Sequence, residues 1–187
     1  MRITTTNVLL EEELKDIYDF EKRLVRAISK MAKAATSEEL RSGLMEHLEE
    51  TRNHVQRIEE AFELLGASAK AKTCDGMKGI IAEGEDLLGE VEGTLRDVAI
   101  TLAARRVEHY EMAAYAGARA IAAELGHGEV ADLLRQNWDE EREADEKLGQ
   151  LTVQILQTSV DAAEETPAAN TAKRGSARAP KTRRAGG

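Results

Sequence analysis

Residues 99–125, AITLAARRVEHYEMAAYAGARAIAAEL, are apolar on nearly every side of a helix, the mark of a rod enclosed by other rods. Stepped at intervals of four and three, one face reads Ile100, Ala104, Val107, Glu111, Ala114, Ala118, Ile121, Leu125. Seven of these positions suit a core. The eighth is a glutamate, whose ionised carboxylate is costly to bury unless something compensates it. Glu108 points to nearly the same face one turn earlier.

The same pattern predicts three more long helices. The first begins near Asn7, a good N-cap followed by Glu11, Glu12 and Glu13, and runs to about Ala35. Its seam is Leu10, Leu14, Ile17, Glu21, Leu24, Ile28, Met31, Ala35, again with one glutamate. Thr36 and Glu39 form a capping-box pattern that opens the second, which stops at Gly66. Its seam holds Leu40, Leu44, His47, Thr51, His54, Ile58, Ala61 and Leu65, with Glu50 projecting from the side of both histidines. Asp75–Glu90 reads as a weaker, glycine-rich crossover helix outside the main bundle. The last long helix runs from near Gly128 to about Thr158. Its seam is Val130, Leu134, Asn137, Glu141, Ala144, Leu148, Leu151, Ile155, and Asp145 adjoins it. The fold class is all-α: an antiparallel four-helix bundle over residues 7–160 with an additional shorter crossover helix. Residues 1–6 are a lead and 161–187 are expected to be a disordered basic tail.

Composition agrees. Aromatics are few, and both prolines, Pro167 and Pro180, fall after the helical pattern. A single cysteine, Cys74, excludes an intrachain disulfide and zinc-type cysteine clusters. The first residues carry no long apolar run, and no window of about twenty apolar residues suggests a membrane span, so a cytoplasmic protein is expected. Residues 166–187 contain six Lys or Arg and no acid. Setting those six charges aside from the net −9 leaves −15 on residues 1–165.

The two helix pairs repeat. Glu21 and Glu111 are 90 residues apart; Glu50 and Glu141, and His54 and Asp145, are 91 apart. Four antiparallel helices can bring Glu21, Glu50, His54, Glu108, Glu111, Glu141 and Asp145 to one level. Carboxylates so crowded repel unless protonated or bound to cations. An oxygen-rich set with one imidazole suits two iron or manganese ions better than zinc. Tyr18, Tyr110 and Tyr115 read mainly as core, with one able to hydrogen-bond a ligand.

The segments LLEEELKDIYDFEKRL, ISKMAKAATSEEL, EHLEETRNHVQRIEEAFELLG, AKTCDGMKGI, RVEHYEMAAY and DEEREADEKL, in this order, resemble the YciE/YciF family of ferritin-like stress proteins over about residues 8–158. The resemblance implies a ferritin-like bundle with a rubrerythrin-like di-metal site, in which Glu108-x-x-Glu111 resembles the third-helix pair. Ferritin-like proteins usually carry Glu-x-x-His on two helices. Here the spacing is one residue longer, Asp145 stands in a histidine's place, and His47 is an alternative to His54. The expected function is oxygen- or peroxide-linked redox chemistry in stress protection, performed by a homodimer with oxygen or hydrogen peroxide as substrate. The alternatives are a structural stress protein with a degenerate metal site, and a DNA-protecting module resembling Dps-type ferritins that makes weak nucleic-acid contact through its tail.

Overall fold

The computed structural model describes residues 2–164, with side chains described to residue 158; the basic tail expected from residue 161 lies mainly outside these limits. Five helices follow in order: α1 (Thr6–Ala34), α2 (Glu38–Leu64), α3 (Asp75–Glu90), α4 (Leu95–Glu124) and α5 (Gly128–Glu164). No strand occurs among the described residues. None of their helices is long and apolar enough to cross a membrane. The short connections after α1 and α4 fold each long helix back along its successor, so α1 pairs with α2 and α4 with α5. The two pairs close on each other through α1–α4 and α2–α5, and α3 bridges the crossover by lying chiefly on α4.

The seams predicted from the sequence form the core. Leu14, Ile17, Leu24, Leu40, Ile58, Ile100, Ala118 and Leu134 are all fully enclosed. Gly66 and Gly126 end α2 and α4 in left-handed conformations with φ of 65° and 80°, as their place after the last apolar position requires.

Two helix starts differ from expectation. Thr5, not Asn7, caps α1, its hydroxyl accepting from the Val8 amide at 3.3 Å. Ser37, not Thr36, caps α2, accepting from the Leu40 amide. Thr36 is claimed from a distance. The buried carboxylate of Asp97, in the first turn of α4, accepts from the amide and hydroxyl of Thr36 at 2.7 and 2.5 Å and from the Ser37 amide at 2.8 Å. One acid thereby ties the α1–α2 corner to the start of α4. At the other end, α5 continues past Thr158 to Glu164, because no glycine or proline intervenes before Pro167.

Candidate metal centre

Midway along the bundle all four long helices turn a polar side chain inward. α1 supplies Glu21, α2 His47 and His54, α4 Glu108 and Glu111, and α5 Glu141; none is more than 7% exposed. They fall into two groups whose ligand atoms are mutually within 4.8 Å: Glu21, His54 and Glu141, and His47, Glu108 and Glu141. Glu141 belongs to both. Its Oε1 lies 2.8 Å from His54 Nδ1, and its Oε2 lies 3.6 Å from His47 Nε2. Glu21 Oε1 is 3.7 Å from His54 Nδ1, and Glu108 Oε1 is 3.5 Å from His47 Nε2. Both histidines flagged by the sequence therefore enter the cluster, rather than one in place of the other.

The electrostatics are those of acids confined together. Burial pushes Glu21 up to about 7, against the pull of His54. Burial and the neighbouring Glu141 carry Glu108 and Glu111 well above the ordinary carboxylate range. Burial would do the same to Glu141, but His54 and His47 hold it down to about 2. His54 rises to about 10, because Glu141 and Glu21 outweigh the burial that would lower it. Nine buried side-chain nitrogen or oxygen atoms among the described residues lack a hydrogen-bond partner, and eight belong to this cluster. They are Glu21 Oε2, His47 Nε2, His54 Nδ1, Glu108 Oε2 and both oxygens of Glu111 and Glu141. Unpartnered polar atoms are rare in folded interiors. Eight in one place, all of metal-ligating type and from four helices, fit a metal ion's coordination shell.

The cluster's outer partners also suit that role. His54 Nε2 donates to Glu140 Oε2 at 2.7 Å, leaving Nδ1 facing inward, the carboxylate–histidine arrangement common behind metal ligands. Glu140 is held by both terminal nitrogens of Arg57 at 2.7 and 2.8 Å. His47 Nδ1 contacts Glu50 at 3.1 Å, leaving Nε2 inward. Tyr115, fully buried, donates to Glu21 and accepts from Asn137 Nδ2.

Two residues predicted to face the same level are placed otherwise. Glu50 is half-buried and reaches the cluster only through His47. Asp145 is bound by Arg105 at 2.7 and 3.2 Å and sits 3.5 Å from His109, outside both groups. The reason is register. The whole seam of α2 maps onto that of α5 at an offset of 90, the value that also relates α1 to α4. At 90, Glu50 corresponds to Glu140, and each steadies an α2 histidine from the flank. Glu141 corresponds to buried Thr51, and His54 to Ala144 rather than Asp145. Arg57, Glu140, Asn137 and Tyr115 were not among the predicted ligands. Asn137, a polar residue on an apolar seam one turn before Glu141, was the available signal.

A family described as a domain of unknown function, DUF892, matches residues 5–161. The chain belongs to this family. Escherichia coli protein YciF is 35% identical over 155 residues, 82% of this chain and 93% of that protein. The crystal structure of YciF, described as an E. coli stress protein, superposes with a TM-score of 0.80 at 34% identity, covering 83% of this chain and 99% of that one. YcfI from Rhodopseudomonas palustris superposes with a TM-score of 0.77 at 38% identity, covering 79% and 94%. The YciF resemblance read from the segments is thereby established, and the helical-bundle fold with it.

Proposed function

We propose that this protein is a stress protein like YciF whose buried cluster holds two iron or manganese ions for reaction with oxygen or peroxide. The observation carrying this reading is the set of eight enclosed ligand atoms that make no hydrogen bond. Glu21, His54 and Glu141 would hold one ion; His47, Glu108 and Glu141 the other, with Glu111 completing the shell beside Glu21 and Glu108. The bound metals would supply the electrons for reducing oxygen or peroxide. The chain's own part is to enclose and orient. The apolar seams exclude bulk water, Glu140 and Glu50 fix the inward nitrogens of the histidines, and Tyr115 keeps a proton directed at Glu21. A narrow crevice of about 40 Å³ between α2 and α5, walled by Leu40, Leu44 and Leu148 and reaching His47, would give a molecule as small as oxygen or peroxide a path from solvent.

Elemental analysis of purified protein should find close to two ions per chain, and Glu21→Ala with Glu111→Ala should abolish them. Unchanged metal content in the double variant would refute the assignment. Peroxide consumption by the loaded protein separates the redox reading from a purely structural one, which Asp145, drawn away to Arg105, otherwise favours.

A further inference from the structure

Behind the cluster lies a polar chain with one arginine at its centre. Arg57, on α2 and about one-fifth exposed, sends two terminal nitrogens to Glu140 and one of them also to Asn137 Oδ1 at 2.8 Å. A guanidinium has donors and no acceptor. Each group it touches must therefore present an oxygen, and that requirement propagates along two arms. In the first arm Glu140, occupied as an acceptor, takes the Nε2 proton of His54 at 2.7 Å, so Nδ1 is the nitrogen left to face Glu21 and Glu141. In the second, Asn137 turns Oδ1 to Arg57 and so points Nδ2 at Tyr115, 3.0 Å away. Tyr115 accepts that bond and directs its own proton to Glu21. Both arms end on the same group of ligands, one on α1 and one on α2.

We propose that Arg57 is the positioning residue of the metal centre, setting the direction of the Glu140 bond that orients His54 and of the Tyr115 bond that orients Glu21. This rests on the metal-binding reading above. Arg57 touches no ligand itself and acts only through Glu140 and Asn137. Lysine cannot replace it fully, because a single ammonium lacks the planar fork that meets a carboxylate and an amide together.

The test uses the full-length protein, its metal removed by chelation and titrated back with Mn²⁺, and a Zn²⁺-loaded sample for nuclear magnetic resonance. Arg57→Met should weaken Mn²⁺ binding on the order of 10- to 100-fold, the usual effect of losing an outer partner of a metal ligand. Arg57→Lys should recover part of that loss, and Tyr115→Phe should lose the Glu21 arm alone, with a smaller drop. In the Zn²⁺ form the His54 ring should show a metal-bound Nδ1 and a slowly exchanging Nε2 proton, and Arg57→Met should make that proton exchange quickly. A merely structural arginine would lower the melting temperature and leave both readouts unmoved. Wild-type binding with Arg57→Met affinity within twofold of it and an unchanged His54 spectrum would overturn the proposal. If wild type itself binds neither ion, the metal-binding reading fails first.

Discussion

Glu111 shows most directly what the cluster is built for. It is 1% exposed, both its oxygens lack partners, and burial and nearby Glu141 drive its carboxyl well above the usual range. Such a group carries a desolvation cost in the metal-free fold, one that grows as rising pH favours its ionised form. Replacing it with leucine, similar in size and apolar, should raise the stability of chelator-treated protein by about 1–3 kcal/mol, the scale of an unsatisfied buried polar group. The same change should cut or abolish any thermal stabilisation that Mn²⁺ is expected to give wild type under the proposed metal binding. Thermal melts with and without chelator check both signs, and a variant that melts lower in chelator would contradict the account. The inward glutamates were legible in the sequence because each interrupts an otherwise apolar seam. Glu140 and Arg57 were not, because a charge beside a seam looks like any solvated helix face until the partner helix is in place. Asp145 was misleading for a related reason: its offset of 91 from His54 differs by one residue from the true repeat, enough to turn it toward Arg105.

Among the elements, α3 was legible as a helix but not in its purpose. Its four glycines read as weakness, yet two of them sit where a neighbour comes close. A methyl group on Gly76 would stand 2.6 Å from the Tyr110 hydroxyl, and one on Gly84 would stand 3.2 Å from the Ala103 methyl on α4. Tyr110 also meets Cys74, the N-cap of α3, at 3.1 Å. Gly79 and Gly89 face open space. Gly79→Ala should therefore stabilise the protein by up to about 1 kcal/mol through helix propensity alone. Gly76→Ala should destabilise it by forcing Tyr110 away from Cys74, and Gly84→Ala should loosen α3 from α4. Amide hydrogen exchange along α3 would resolve the three, slowing in the first and quickening in the others. Equal effects at all three positions would mean that propensity, not close approach, governs this helix. Capping was the other misreading: the Thr36–Glu39 pattern was sound locally and lost to Asp97, 61 residues away.

For the whole molecule, the buried acids and the histidine make the metal-free fold sensitive to pH in a definite direction. Glu21 has its carboxyl raised to about 7. Its contribution to stability is fully present below the unfolded carboxylate pKa near 4.5 and is lost as pH climbs through 7. Glu108 and Glu111, raised further, act in the same sense. His54, raised to about 10, loses its contribution only from about pH 6.5 upward. Glu140 and Glu141, both near 2, act oppositely but lose theirs only as pH falls below about 4.5. Between pH 4.5 and 7, therefore, chelator-treated protein should become less stable as pH rises. Metal should reverse the trend. Binding requires these ligands deprotonated, so proton competition fades over the same interval and the ion's stabilising effect grows. Melting curves at several pH values, with chelator and with excess Mn²⁺, should converge toward pH 4.5 and diverge toward pH 7. Parallel curves would mean that the acids of the cluster do not exchange their protons for a cation, and the bundle would then carry its buried charges for some other reason.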